Sequence, residues 1–254
     1  MRLLIWGIAG TVVPVLILAA FLLYPRDPQA SHGPRGAKPE LHLLTALPLM
    51  WGDEFALDQP KSPAIERLQR EYQLKSIDLP SQLPENGLLL AAQPRALPAE
   101  ELVALDAWVR RGGRLVLLAD PMLEWTSKRP IGDRLRPPLQ YADTGLLQHW
   151  GLRLDAPEQR GSRLVRHNAP ERLGDKAVNL RVMTISPGSL AKQEGTCSIN
   201  FEGLHAECAV GKGWVWVIAD ADWLNEQLVS SAGGDMDINL FALGTMMRAA
   251  SSTR

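Results

Sequence analysis

Residues 87–121, GLLLAAQPRALPAEELVALDAWVRRGGRLVLLADP, constrain the fold more than any other part of the chain, because they read as a complete strand, helix and strand unit. Leu88 to Ala92 and Leu115 to Ala119 are short apolar runs without polar alternation, bounded by turn residues, the pattern of parallel strands buried on both faces. Between them Leu102, Leu105 and Val109 recur at helical spacing. Pro98 marks the helix start, Glu100 and Glu101 fall in its first turn, Arg110 and Arg111 in its last, and Gly112 ends it, so each charge sits where the helix dipole favours it. Such a unit needs further strands beside it and helices over both faces, which makes an α/β domain the expectation.

The flanking sequence supplies them. Strands are predicted over 41–47 and 74–79, the second at an edge, with a helix over 64–72 after Ser62-Pro63. Residues 124–145 carry too much Pro, Gly and charge for a regular element and read as a long loop, with Asp143 or Thr144 placed to cap a short helix stopped by Gly151. Short apolar runs over about 152–210 predict a β-rich insertion. Gly211-x-Gly213 precedes the strand Trp214 to Ala219, so it is a turn and not a phosphate cradle. Helices over 223–230 and 238–249 close the chain, Asp222 being placed to cap the first.

Leu3 to Tyr24 is uncharged and overwhelmingly apolar, about the length that crosses a hydrocarbon layer as a helix, with Trp6 and Tyr24 towards its ends. The expectation is a single-pass anchor over 1–24; a cleaved signal peptide is the rival, but the apolar run is long and no small-x-small site follows closely. Residues 25–40, rich in Pro, Gly and charge, suit a spacer, leaving 41–254 as the α/β domain. Arg2 on one side and Arg26, Arg35 and Lys38 on the other do not decide the orientation. Centring a hairpin on Glu202-Gly203 sets Cys197 opposite Cys208, which permits either a disulfide, and hence an oxidising compartment such as a periplasm, or two buried thiols. An inner-membrane protein with a periplasmic domain is the resulting expectation. A formal charge of −1 offers no general attraction to nucleic acid, and none is expected as a partner.

Chemistry-bearing residues are sparse. Asp120 and Asp220 each fall just past the carboxyl end of a predicted parallel strand, where open α/β sheets place ligand crevices, and Asp222 adds a third oxygen donor. Such a trio would suit a metal-dependent hydrolase or a solute-binding crevice, whereas an Asp-Pro turn and a helix cap account for the same residues structurally. No G-x-S-x-G or G-x-C-x-G elbow occurs, the loop after Ala92 offers Gln93-Pro94-Arg95, and His32, His42, His149, His167 and His205 lack zinc-site spacing. No catalytic residue, cofactor or metal is therefore expected. Lys128, Arg129, Arg134 and Arg136, with Arg160, Arg163, Arg166 and Arg172, form a basic concentration that would meet an acidic partner or lipid head groups, or else a solvated surface. Trp51, Trp125 and Trp150 could line a shared pocket or face a partner, although filling the core is the commoner use of tryptophan.

The run LLLAAQPRALPAEELVALDAWVRRGGRLVLLADP, the later GKGWVWVIADADWLNEQ with Asp220, Asp222 and Asn225, and Asp237-Ile238-Asn239 resemble the extracytoplasmic domain of auxiliary proteins of uncharacterised ABC-type transport systems, the group that includes the gliding-motility auxiliary protein. The resemblance covers most of 41–254. It implies a class I glutamine amidotransferase-like domain with a flavodoxin-like, mostly parallel sheet and helices on both faces. Amidotransferases carry a nucleophilic cysteine at an elbow and a His-Glu pair; this sequence departs at those positions. A membrane-anchored, non-enzymatic accessory component that meets transporter subunits is thus what the resemblance implies, with Asp120, Asp220, Asp222, Asn225, Arg129 and Arg134 as candidate contacts.

Overall fold

The computed structural model describes residues 37–53, 61–166, 171–173, 176–178 and 181–252. The apolar stretch Leu3 to Tyr24 and the spacer up to residue 36 lie outside the described residues, among which no helix is long and apolar enough to cross a membrane. Lys38–Arg254 forms one unit.

Five parallel strands make the centre of a seven-stranded sheet: β1 (Glu40–Thr45), β2 (Gln73–Ser76), β3 (Leu88–Ala92), β4 (Arg114–Leu118) and β13 (Gly213–Ile218). Their spatial order is β2-β1-β3-β4-β13, the doubly wound order in which the chain reverses direction between β1 and β3. Two antiparallel strands, β12 (His205–Val210) and β11 (Ser198–Asn200), extend the β13 edge. The sheet is mixed α/β and mostly parallel, as the central unit of the sequence predicts.

Strand alternation divides the core in two. Leu88, Leu90, Val116, Leu118, Trp216 and Ile218 face one side, where α1 (Pro63–Glu71) and α5 (Met236–Ser252) add Ile65, Leu68, Leu243 and Met247. Leu89, Leu115, Leu117, Val215 and Val217 face the other, covered by Leu105, Trp108 and Val109 of α2 (Ala99–Arg110) and by Leu147 of the one-turn α3 (Leu146–His149). Both faces of each central strand are dry, which is why the runs read as continuous and not alternating. Ser62 caps α1 by accepting the Ile65 N–H at 3.3 Å.

Between β4 and β12 the insertion forms two-stranded ladders: β5 (Leu152–Asp155) with β10 (Ser189–Lys192), β6 (Ser162–Arg166) with β9 (Arg181–Ile185), and β7 (Glu171–Leu173) with β8 (Lys176–Val178). Cys197 and Cys208, at the start of the β11–β12 hairpin, are joined by a disulfide.

Two expectations need correction. The helix placed at 223–230 begins at Glu226 (α4, Glu226–Ser231) after a 3-10 turn over Asp222–Leu224, and its cap is Asn225, whose Oδ1 accepts from Gln227 N and Leu228 N. Asp222 is instead the first residue of that 3-10 turn, and its Oδ2 accepts the Glu124 N–H described below. The three tryptophans share no pocket: Trp51 is 45% exposed, Trp125 packs on the α1/α5 side, and buried Trp150 lies on the α2 side with its Nε1–H donated to Asp106 at 2.8 Å.

Candidate functional site at the sheet crest

The carboxyl ends of β4 and β13 lie side by side, with Leu118 paired to Ile218, so the residues two positions on, Asp120 and Asp220, emerge next to each other. The 3-10 turn brings Asp222 back to them. All three are fully buried, and carboxylate oxygens of the trio lie within 4.8 Å of one another. No Lys, Arg or His forms an ion pair with them among the described residues. Their partners are amides instead. Asp120 accepts from Met122 N (2.8 Å), Ala221 N (2.9 Å) and Asp222 N (3.4 Å). Asp220 accepts from Ile185 N (2.9 Å) and Trp223 N (3.1 Å), and Asp222 from Glu124 N (2.5 Å). The trio thereby ties the tips of β4 and β13 to the loop after Pro121 and to the end of β9, a strand of the insertion.

Three charges in one dry volume repel each other and lose hydration, so protons are retained. Burial is the largest cause for each. It holds Asp222 up at about 8, helped by the neighbouring Asp120 charge, and raises Asp220 well above the ordinary carboxylate range with the charges of Asp120 and Asp222 adding to it. Asp120 is also raised by burial, but less, because three amide N–H groups and the Asp220 side chain donate to it. The arrangement suits one carboxylate steadied by protonated neighbours. Backbone N–H groups reach both carboxylate oxygens of Asp120 and of Asp220 but only Oδ2 of Asp222, whose buried Oδ1 has no hydrogen-bond partner among the described residues.

Gln93 completes the crest. It lies at the sharp turn after β3 with φ 45°, a left-handed conformation of the kind that α/β enzymes use to present a nucleophile. Its side chain is a fully buried carboxamide, hydrogen-bonded through both ends to the backbone of Asp120. Sequence reading passed over Gln93; the signal available was its place directly after a buried strand and before a Pro. Asn239, also fully buried, clamps β9 to α5: its Oδ1 accepts from Met183 N at 2.8 Å, and its Nδ2 donates to Met183 O at 3.0 Å and Trp223 O at 2.8 Å.

An open crevice lies elsewhere. Outside the carboxyl ends of β1 and β3, where the strand order reverses, a cavity of about 330 Å³ is lined by Leu43, Met50, Trp51, Ile77, Arg95 and Arg129, among others. Of the basic candidates, Arg129 belongs to this wall but is engaged, its Nε donating to Asp53 O at 2.9 Å and its NH1 lying 3.5 Å from Asp133. Arg136 donates to Ser127 O and Arg129 O, stapling the loop to itself, while Arg134 is exposed. The basic loop is therefore partly a set of internal ties.

Residues 38–158 match the family described as an ABC-type uncharacterized transport system. The match runs from just before β1 to just beyond β5, just under half of the chain. No curated protein sequence is significantly similar to this chain. Among solved structures, the mmIFT52 N-terminal domain superposes with a TM-score of 0.52 at 12% identity, over 84% of this chain and 98% of that one, which shows a common fold. The exo-β-1,4-mannosidase Op5Man5 from Opitutaceae bacterium strain TAV5 aligns at 14% identity with a TM-score of 0.45, over 85% of this chain and only 37% of its own length. Cytoplasmic Protein STM3548 from Salmonella typhimurium aligns at 10% identity with a TM-score of 0.42, over 82% and 98%.

Proposed function

We propose that this chain is a membrane-tethered, non-enzymatic accessory component of an ABC-type transport system, whose amidotransferase-like domain works by binding and not by turnover. The match of residues 38–158 to that transport family is the observation that carries the reading. Supporting it, the doubly wound strand order is the one expected of a flavodoxin-like, amidotransferase-like sheet. The strained turn after β3 carries the carboxamide of Gln93, which has no nucleophilic character and whose two ends are already committed to Asp120. Asp120 and Asp220 accept backbone amides through both carboxylate oxygens, and Asp222 through one, in a closed volume, which fits a structural junction better than acid-base work on a substrate. The apolar segment Leu3 to Tyr24 would serve as the tether. A disulfide between Cys197 and Cys208 suits a domain on the oxidising side of that membrane.

The deciding experiment is extraction of the full chain from its native membrane in mild detergent, followed by affinity capture. Recovery of an ABC-type ATPase and permease in fixed proportion is expected; recovery of the chain alone, under conditions that keep other transporters intact, overturns the reading.

A further inference from the structure

The trio at the sheet crest carries more negative charge than the side chains around it answer. Asp120, Asp220 and Asp222 are fully buried, and no Lys, Arg or His pairs with them among the described residues. A fourth carboxyl, that of Glu124, adds to the repulsion at Asp222; it is half-buried and accepts the Ser186 hydroxyl. Carboxylates gathered in a dry volume without a basic partner demand either protons or a cation.

One oxygen points to the cation. Asp120 and Asp220 take backbone N–H groups on both oxygens, and Asp222 takes the Glu124 N–H on Oδ2. The Oδ1 of Asp222 is buried in the same place with no hydrogen-bond donor among the described residues, although its residue is fully removed from water. A purely structural junction leaves that acceptor unsatisfied, at a cost in stability, whereas a metal ion uses it. The amide-bonded oxygens stay open to the same ion, because a carboxylate oxygen that accepts one N–H keeps a second lone pair.

We propose that the crest is a calcium site, in which Asp222 Oδ1 and one oxygen each of Asp120 and Asp220 hold the ion and so lock the loop after Pro121 onto the tips of β4 and β13. The donor set is carboxylate oxygen alone, which suits hard cations and not zinc or copper. Oxygens of the three residues lie within 4.8 Å of one another. An ion in the plane of three ligands at calcium distances sets them up to about 4.5 Å apart, and at magnesium distances about 3.6 Å, so calcium asks for less contraction. Protons and the ion are alternative occupants, so the pH behaviour of the three carboxyls is that of the cation-free chain. The inference goes beyond the transport reading and stands apart from it: capture of an ATPase and permease tests that reading, and calcium binding by the chain alone tests this one.

The test is titration of terbium, a luminescent ion of calcium's size, into the chelator-treated full chain in an uncharged detergent, with excitation through tryptophan. Trp223 follows Asp222 directly and donates its backbone N–H to Asp220, so sensitised emission reports this site. Saturable emission is expected, displaced by calcium and only at about tenfold higher concentration by magnesium. Calcium should also raise the thermal midpoint above that in chelator, by an amount that grows with its concentration, as binding to the folded state alone requires. Asp222→Asn keeps an acceptor for the Glu124 N–H but presents no second anionic oxygen; it should weaken terbium and calcium by about tenfold or more and flatten the calcium-dependent rise, while its midpoint in chelator matches or exceeds the parent's. Glu158→Gln, at an exposed carboxylate, should bind as the parent does. The parent compared with and without calcium keeps the test decisive whatever the variant's stability. Emission that calcium fails to displace, or a parent midpoint that calcium leaves unmoved, is the result if water or a retained proton serves Asp222 Oδ1, and either overturns the proposal, as does unaltered affinity in Asp222→Asn.

Discussion

Gln93 holds the backbone of Asp120 on both sides of its Cα: its Oε1 accepts the Asp120 N–H at 2.8 Å and its Nε2 donates to the Asp120 carbonyl at 3.0 Å. The tips of β3 and β4 are thereby paired beyond the point where the ladder itself ends, and the chain accepts a left-handed turn at Gln93 to achieve it. Gln93→Leu keeps the volume and removes both bonds, leaving a buried amide N–H without a partner. A loss of about 2–3 kcal/mol in urea unfolding of the full chain is expected. A loss below about 0.5 kcal/mol would mean the clasp contributes nothing net.

The three crest carboxyls make stability fall as pH rises. In the unfolded chain Asp222 ionises near 3.8, whereas in the fold it keeps its proton up to about 8. Between those values the folded state binds more protons than the unfolded one, so this contribution is whole below the lower value and lost as pH climbs through the higher. Asp120 and Asp220 are raised too and act in the same direction. Glu71 and Asp106 are held down, by Arg67 and Arg248 and by Arg110 and the Trp150 N–H against the effect of burial, so they act oppositely and only under acid conditions. Unfolding midpoints at about pH 5, 6.5 and 8 should decline along the series, by up to about 1.4 kcal/mol per pH unit for each proton retained. Asp222→Asn, which keeps an acceptor for Glu124 N–H and cannot ionise, should flatten that decline. A midpoint that rises from pH 5 to pH 8 contradicts the arrangement.

The disulfide closes a short loop, with 11 residues of sequence separation, around the β11–β12 hairpin at the sheet edge. Closing so short a loop removes unfolded-state entropy worth about 3 kcal/mol. Both cysteines are buried, Cys197 at 3% and Cys208 at 0% exposed, so a thiol reagent reaches neither in the folded state. Thiol titration of the chain unfolded without reductant should find no free thiol, and Cys197→Ser with Cys208→Ser should lower stability by about 3 kcal/mol. Two reactive thiols in the oxidised, unfolded chain would show the bridge is not made.

Much of this was legible in the sequence where local pattern and burial agree. The residue 87–121 unit appears as β3, α2 and β4, because its strands are dry on both faces and its helix carries start, dipole and stop signals in the right order. The hairpin register was readable for a similar reason: a turn at Glu202-Gly203 fixes which residues face each other, and Ser198 does pair with Glu207. What failed was non-local. Asp222 has the spacing of a helix cap, yet its oxygen is taken by Glu124 N, 98 residues away, and no periodicity records that. Nor could the sequence reveal that Ile185, within the β-rich insertion, delivers an N–H to Asp220 and helps to close the crest, or that an open crevice lies at the β1 and β3 ends instead. The turn at Gln93 was missed because its place between a buried strand and a proline does not by itself specify a left-handed conformation or a clasp on Asp120.

Gly213 shows how closely the sheet and α2 approach one another. Its conformation is ordinary for any residue, so the demand for glycine there is purely spatial. A Cβ at this position would stand 2.1 Å from Val109 O and 2.3 Å from Gly113 O, backbone atoms that belong to the end of α2 and the entry to β4. Neither can swing aside as a side chain would, so Gly213→Ala must push β13 away from β4 or lift the end of α2. The cost should reach about 3 kcal/mol, in the range of overpacked cores. Gly161→Ala is the control, since a Cβ there meets nothing within 4 Å and its backbone is not left-handed. It should change stability by less than about 0.5 kcal/mol. If thermal unfolding of the full chain finds the two substitutions equally tolerated, the approach of α2 to the start of β13 is looser than the distances require, and the first half of the parallel sheet is not locked to its last strand at that point.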